Sequence, residues 1–86
     1  MPDWDEDKRQ TNLAKHGVDF AAVEGFDWSS AKSEPDVRAD YGEERFESVG
    51  LIADRLHVLV FTTRGGRRRI ISLRKANPRE IERWLT

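Results

Sequence analysis

The first half of the chain carries a sparse, helix-like spacing of apolar residues among many charged ones. Asp3, followed three residues later by Glu6, forms an aspartate version of a capping box and predicts a helix over about 4–16. Asp19 is placed to cap a second helix, which we expect to end within 24–27. The pattern therefore predicts two consecutive helices before the first strand.

A polar stretch follows these helices, and beyond it the apolar positions alternate with a period of two. The stretch 28–43 predicts a loop with one short edge strand around 31–37. From Glu44 onward, the alternation and the β-branched and aromatic content are typical of strands. Three strands are predicted, the last two joined by a two-residue turn at Gly65-Gly66, and they cover 44–52, 57–64 and 67–75.

The end of the chain contains a strong helix start. Asn77 can cap the helix, Pro78 suits its first position, and Glu80 can reach back to the cap. The order of elements predicts an α+β fold with two N-terminal helices, an antiparallel sheet of three to four strands and a C-terminal helix. We expect the 86 residues to form a single domain, 1–86.

Composition excludes several classes of protein. The chain has no cysteine, which excludes disulfide scaffolds, thiolate zinc sites and cysteine nucleophiles. Its two histidines lack the spacing of metal ligands, so we expect no metal and no other cofactor. No apolar run approaches the roughly 18 residues that span a bilayer, and the acidic beginning is unlike a signal peptide. A cytoplasmic protein is therefore expected, with no membrane partner.

The net charge of −1 conceals opposite charges in the two halves of the chain. Residues 1–50 contain 6 Lys/Arg and 13 Asp/Glu, a net of −7, whereas residues 51–86 contain 9 and 3, a net of +6. The asymmetry indicates either an anionic partner for the second half or neutralisation of one half by the other within the fold. Charge alone leaves both interpretations open.

The basic residues of the second half are concentrated around the Gly65-Gly66 turn. Across a two-residue turn, Arg64 faces Arg67 and Thr62 faces Arg69, and like charges opposite each other destabilise a sheet. Arginine forks match phosphate oxygens, so the cluster favours contact with phosphate or RNA. The alternative is a solvated hairpin tip whose charge protects an edge against aggregation. The cluster consists of Arg64, Arg67, Arg68, Arg69, Arg74 and Lys75.

Three other groups could take part in chemistry. His16 lies at a predicted helix end, where a partner of the helix dipole is the alternative to a catalyst. Glu43 and Glu44 precede Arg45, and a carboxylate there could orient a guanidinium, act as a base, or form a plain surface ion pair. His57 is expected to be structural; the tryptophans could stack on bases, but packing in a thin core is the better explanation for them.

Three stretches distributed along the chain carry a combination of residues that is specific although no single motif is. They are Trp4-Asp5-Glu6 with Lys8, Asn12, Lys15-His16-Gly17-Val18 and Phe20; Gly42-Glu43-Glu44-Arg45-Phe46 with Val49-Gly50; and Thr63-Arg64-Gly65 with Arg69-Ile70-Ile71-Ser72, Arg74-Lys75-Ala76 and Glu82-Arg83. In order and spacing, across nearly the whole chain, they resemble the BrnT family of toxins from bacterial type II toxin–antitoxin systems.

The resemblance implies a RelE-like fold and an RNA endonuclease that blocks translation. It also implies a cognate BrnA-type antitoxin with a ribbon-helix-helix half, so that operator DNA is contacted only through the antitoxin and the complex represses its own promoter. The positions that match the family pattern are His16, Arg45, Arg64, Arg69, Arg74 and Lys75.

Metal-independent cleavage of RNA is most simply an attack by the ribose 2′-hydroxyl on the adjacent phosphate, which needs a base, an acid and cations. We expect His16, Glu43, Arg64, Arg69 and Arg74 to be catalytic, with His16, Glu43 or Glu44 as base or acid. Expected RNA contacts are Lys15, Arg45, Arg67, Arg68 and Lys75. The alternative function is a non-catalytic protein- or nucleic-acid-binding co-repressor subunit.

Overall fold

The computed structural model describes residues 3–38 and 40–86, so Ala39 of the predicted 28–43 loop lies outside the described residues. The chain forms an α+β fold in which a five-stranded sheet is packed on both faces. The elements in chain order are β1 (Asp3–Trp4), α1 (Glu6–His16), a 3₁₀ helix (Phe20–Gly25), β2 (Lys32–Pro35), β3 (Phe46–Ile52), β4 (Arg55–Arg64), β5 (Arg67–Lys75) and α2 (Pro78–Leu85).

The sheet is mixed, with strand order β1-β5-β4-β3-β2. The strands from β2 to β5 pair antiparallel, as predicted, but β1 pairs parallel with β5 through Asp3 and Trp4. The prediction of a purely antiparallel sheet of three to four strands is therefore wrong, because it lacked the fifth strand, which is parallel. The cause is local: a two-residue strand has no period that could separate it from the helix it precedes.

The first helix begins later than predicted, at Glu6, with Asp5 as its cap. The Asp5 carboxylate accepts from the backbone N–H groups of Asp7 and Lys8, at 2.9 and 3.3 Å. The predicted Asp3–Glu6 capping box does not form. Trp4 instead packs edge-on against Phe20 at 6.1 Å between ring centroids, which ties the start of the chain to the core.

The second predicted helix is a six-residue 3₁₀ helix, Phe20–Gly25. Asp19 caps it as predicted, accepting from the N–H of Ala21 at 2.9 Å. Short 3₁₀ segments are common connectors, and this one delivers buried Phe20 and Val23 to the sheet. The prediction did not distinguish a 3₁₀ helix from an α-helix, because the cap residue at the start is the same for both.

The hairpin and the last helix are confirmed. Gly65 and Gly66 have φ of +55° and +78°, the pair of positive angles that a two-residue I′ turn requires. In α2, Asn77 accepts from the N–H of Glu80 at 2.8 Å, and the Glu80 carboxylate accepts from the N–H of Asn77 at 2.9 Å. This capping box and Pro78 fix where the helix starts.

The core is divided by the sheet into two clusters. Phe20 of the 3₁₀ helix clusters with Leu59, Phe61, Ile70 and Leu73 of the sheet, and we call this side of the sheet the 3₁₀ face. Under α2 lie residues that pack against its apolar stripe, and we call this side the α2 face; they are Leu56, Val58 and Ala76, contacted by Ile81 and Trp84. No helix among the described residues is both long and apolar enough to cross a membrane.

Candidate functional site

Four arginines of the β4–β5 hairpin lie on the α2 face. Residues paired across antiparallel strands share a face, so the face of each arginine follows from its partner. Val58 belongs to the core under α2 and pairs with Arg74. Along β4, alternation places Thr62 and Arg64 on the same face as Val58. Their partners complete the set: Thr62 pairs with Arg69, and Arg64 with Arg67.

A bulge in β5 brings these arginines together. Arg69 and Arg74 are five positions apart, and on a regular strand they would point to opposite faces. The pairing shifts between Val60, which faces Ser72, and Phe61, which faces Ile70, so Ile71 is the extra residue. The shift puts Arg69, Ser72 and Arg74 on one face. Sequence alternation alone could not show this, because nothing in the residue types marks the bulge.

Arg68 lies on the opposite side of the sheet from its neighbours. It pairs with Thr63, on the 3₁₀ face. Its guanidinium carbon lies 3.8 Å from the centroid of the Trp28 ring, and Trp28 packs edge-on against Phe61 at 5.6 Å. A guanidinium over an indole face is attracted by the ring's quadrupole. The arginine cluster of the sequence is thus divided: Arg68, which was expected to contact RNA with the others, lies on the opposite side of the sheet from the other four.

Carboxylates hold three of the four arginines in place. Arg74 donates from both Nη atoms to Glu80, at 2.7 Å each, and this fork lowers the pKa of Glu80. Arg69 donates to Asp3 and lowers the pKa of that carboxyl. Arg64 is 3.4 Å from Glu43. The Arg69–Asp3 and Arg64–Glu43 pairs join the acidic half of the chain to the basic half, so part of the charge asymmetry is neutralised within the fold.

The segment before β3 adds Glu43 and Arg45 to the hairpin end of the α2 face. Glu43 lies between two guanidiniums, 3.4 Å from Arg64 and 3.7 Å from Arg45. Arg45 also stacks on Tyr41, at 3.9 Å to the ring centroid. The Thr62 hydroxyl donates to the backbone carbonyl of Glu44 at 2.5 Å and fixes this segment against β4. Of the two predicted acidic candidates, Glu43 is the one that contacts arginines.

His16 ends α1 and is half-buried. Burial lowers its pKa below the usual 6.5, and the charges of Lys15 and Arg74 lower it further. His16 is therefore close enough to Arg74 to feel its charge, and its neutral form is favoured at pH 7. Lys15 and Lys75 are exposed, and Lys75 pairs with His57 at the far end of β5.

His57 is structural, as expected: it is buried, and its Nδ1 lies 2.8 Å from the carbonyl of Arg55.

Sequence reasoning missed two charged neighbours of this face, Arg38 and Glu47. Glu47 is on β3 opposite Val60, and Arg38 lies 3.9 Å from its carboxylate. Both act on Arg74, whose pKa is raised first by Glu80 and further by Glu47, while Arg38 opposes the rise. Arg38 stands in a polar stretch without periodicity, so only the fold reveals its position. Among residues 3–38 and 40–86, no three histidine or carboxylate side chains are grouped to hold a metal ion.

Comparisons with known proteins identify the family. A search of the curated proteins finds no match. A family model described as "Ribonuclease toxin, BrnT, of type II toxin-antitoxin system" matches residues 4–80, from Trp4 in β1 to Glu80 in α2. The match spans the arginine-bearing hairpin, Glu43 and His16. Such a toxin acts on RNA and is paired with an antitoxin. The chain belongs to the BrnT family of ribonuclease toxins of type II toxin–antitoxin systems.

Proposed function

We propose that this toxin is a metal-independent RNA endonuclease in which the ribose 2′-hydroxyl attacks the adjacent phosphate. The observation that carries the proposal is the row of arginines on the α2 face, which the bulge at Ile71 assembles. Cleavage of messenger RNA by this row blocks translation. We assign the fold to the RelE-like class, as one domain, on the order of its strands and its C-terminal helix.

The arginine row supplies what the transition state needs most. As the 2′-oxygen attacks, negative charge accumulates on the phosphoryl oxygens, and fixed cations stabilise it without reorganising. Arg64, Arg69 and Arg74 take this role, and Arg67 extends the row to bind the RNA backbone. The carboxylates of Asp3 and Glu80 restrict Arg69 and Arg74, so less side-chain entropy is lost when a phosphate binds.

Two proton-transfer groups flank the row. An in-line displacement needs a base for the 2′-hydroxyl and an acid for the leaving 5′-oxygen. Glu43 lies at the hairpin end of the row beside Arg64, whereas His16 feels the charge of Arg74, whose β4 partner is six residues from Arg64, so we assign each of them to a phosphate at its own end of the row rather than both to one phosphate. A lowered pKa keeps His16 neutral and able to accept a proton at pH 7. Lys15, Arg45 and Lys75 are assigned to contacts with the flanking RNA.

The antitoxin in this proposal is of the BrnA type, with a ribbon-helix-helix half that binds operator DNA. We expect it to cover the basic hairpin with acidic or aromatic side chains, because this blocks the substrate and satisfies the arginine charges together. A complex in which the hairpin stays free would contradict this expectation.

The test uses two adjacent arginines on opposite faces. Purified toxin is mixed with RNA in EDTA, and cleavage is followed for the wild type, Arg69→Ala and Arg68→Ala. We expect cleavage to persist in EDTA, to be lost in Arg69→Ala, and to continue in Arg68→Ala, which removes the same charge from the 3₁₀ face.

Three outcomes count against the proposal. Loss of cleavage in EDTA refutes metal independence, and equal effects of the two substitutions refute the α2 face as the site. Tight RNA binding without any product supports the co-repressor function instead, in which case both substitutions weaken binding only through salt-dependent contacts.

A further inference from the structure

We propose that Arg38 binds a phosphate of the RNA substrate and that the buried carboxylate of Asp36 holds it in position to do so. Both residues lie in the segment between β2 and β3. The inference deepens the proposed ribonuclease function and rests on it. It adds an RNA contact on the β3 side of the α2 face, away from the β5 arginines.

Asp36 anchors Arg38 from a protected position. Its carboxylate is only 2% exposed, whereas the Arg38 side chain is 67% exposed. Arg38 donates from Nε to Oδ1 and from Nη2 to Oδ2, both at 2.8 Å, and the Tyr41 hydroxyl adds a bond of 3.4 Å. The backbone N–H of Asp36 donates to the carbonyl of Arg45 at 2.7 Å, which ties the anchor to the sheet.

The geometry of the Arg38–Asp36 pair leaves one edge of the guanidinium facing outward, where a phosphate could bind. Arg38 uses its Nε–Nη2 edge for Asp36, so the Nη1–Nη2 edge faces away from the carboxylate. Arg74 is held the other way: Glu80 occupies its Nη1–Nη2 edge, so the Nε edge of Arg74 is the one that faces away from the carboxylate. Since a guanidinium presents two such edges, Arg38 can bind Asp36 and a phosphate fork together.

Arg38 lies over the same face as the catalytic arginines. Its Nη2 is 3.9 Å from Oε2 of Glu47, a residue of β3 that faces Val60 on the α2 face. This separation is too long for a hydrogen bond. Among the described residues, Nη1 of Arg38 has no hydrogen-bond acceptor. The Arg38 charge also reaches Arg74, where it opposes the carboxylates that raise the Arg74 pKa.

The chemistry of the ligand follows from this arrangement. An outward, pre-oriented guanidinium edge matches two oxygens of a phosphodiester, and holding it in advance reduces the entropy lost on binding. A single-stranded RNA that lies along the β5 arginines would place a neighbouring phosphate within the field of Arg38. We therefore assign Arg38 to binding and orientation of the RNA rather than to the bond-breaking step.

The experiment compares Arg38→Ala with Arg55→Ala, a matched loss of one exposed positive charge at the opposite end of the sheet, beside the β3–β4 turn. Cleavage of a mixed-sequence RNA is measured over a range of salt concentrations. Binding of a mixed-sequence 2′-O-methyl RNA, which has no free 2′-hydroxyl to attack, is measured in parallel. Arg38→Lys keeps the charge without the fork, and Asp36→Asn keeps the guanidinium without its anionic anchor.

We expect Arg38→Ala to raise KM about tenfold with little change in kcat, because a charge-assisted bond to substrate is lost. The slope of log affinity for the 2′-O-methyl RNA against log salt should fall by about 0.7, the value for one phosphate contact on a single strand. Arg38→Lys should retain that slope with a raised KM, since a lysine cannot supply the fork. Asp36→Asn should also raise KM while retaining the slope.

If the wild type cleaves RNA and Arg38→Ala behaves as Arg55→Ala in KM and in salt slope, the inference is wrong although the proposed function stands. A normal KM in Arg38→Ala with weakened antitoxin binding also overturns it, because the guanidinium would then be a protein contact. Absence of cleavage by the wild type refutes the proposed function itself. Thermal midpoints that lie well above the assay temperature for both alanine variants show that neither effect arises from unfolding.

Discussion

Asn12 provides the sharpest test of how α1 is attached to the sheet. It is the one buried residue of α1, 7% exposed. Its amide binds both the N–H and the carbonyl of a single β5 residue, Leu73. Nδ2 donates to the carbonyl of Leu73 at 2.7 Å and to that of Val18 at 3.0 Å, while Oδ1 accepts from the N–H of Leu73 at 3.2 Å. β1 pairs with β5 only at residues 69 and 70, so Asn12 takes the place of a strand further along that edge.

The substitution Asn12→Ala removes all three bonds and leaves the backbone groups of Leu73 in a buried position. A buried group without a partner costs about 1–3 kcal/mol, and water that enters the vacated space recovers part of this. We therefore expect the free energy of unfolding to fall by about 3 kcal/mol. For a chain of this size that corresponds to a decrease of roughly 12–24 °C in Tm.

Urea unfolding followed by tryptophan fluorescence and thermal unfolding followed by circular dichroism measure this change. Thr11→Ala, at the exposed neighbouring position, is the matched control and should remain within about 0.5 kcal/mol of the wild type. Asn12→Asp should destabilise the fold at neutral pH, because a carboxylate would face two carbonyl oxygens. If Asn12→Ala costs no more than Thr11→Ala, the proposed attachment of α1 to β5 is refuted.

Three further predictions concern caps and titration. Asn77→Ala should lower stability by about 1 kcal/mol, since the capping box of α2 is lost, and a Tm equal to that of Arg79→Ala would contradict this. Hydrogen bonds from Arg38 lower the pKa of Asp36 from 3.8 to about 2, so its contribution is complete above pH 3.8 and is lost as the pH falls from 3.8 to 2. Unfolding of Asp36→Asn should therefore depend less on pH across that window, and an unchanged dependence would refute the assignment. If His16 is the base, cleavage should rise with pH through a pKa below 6.5 and then level off, a limb that His16→Gln should remove.

The elements whose structure is set by neighbouring residue types, such as turns and helix caps, were predictable from the sequence. The Gly65-Gly66 turn, the strands beside it and the capped start of α2 follow from residue types within a few positions of each other. The short β1 strand was not predictable, because Trp4 pairs with Ile70 far along the chain and two residues carry no period. The sequence likewise gave no sign that the amide of Asn12 binds the backbone of β5.

The candidate site was predictable in its composition but not in its geometry. The density of arginines around the turn indicated an anionic ligand, yet which of them cooperate depends on a pairing shift that residue types do not reveal. Arg68 illustrates the limit: it stands between two arginines in sequence and on the other side of the sheet in space. Arg38 illustrates the converse. It is isolated in a polar stretch of the sequence, and only the fold brings it to the face that carries the hairpin arginines.

The extra residue at Ile71 has a consequence for how related chains should be compared. Before Ile71 the odd-numbered residues of β5 lie on the α2 face, and after it the even-numbered residues do. The number of residues between Arg69 and Arg74 therefore decides whether the two side chains lie on the same face. A relative with all the same arginines but one residue more between Ser72 and Arg74 would aim the last guanidinium at the wrong surface. Counting that interval, as well as reading its letters, therefore distinguishes a chain with an assembled arginine row from one that only shares its composition.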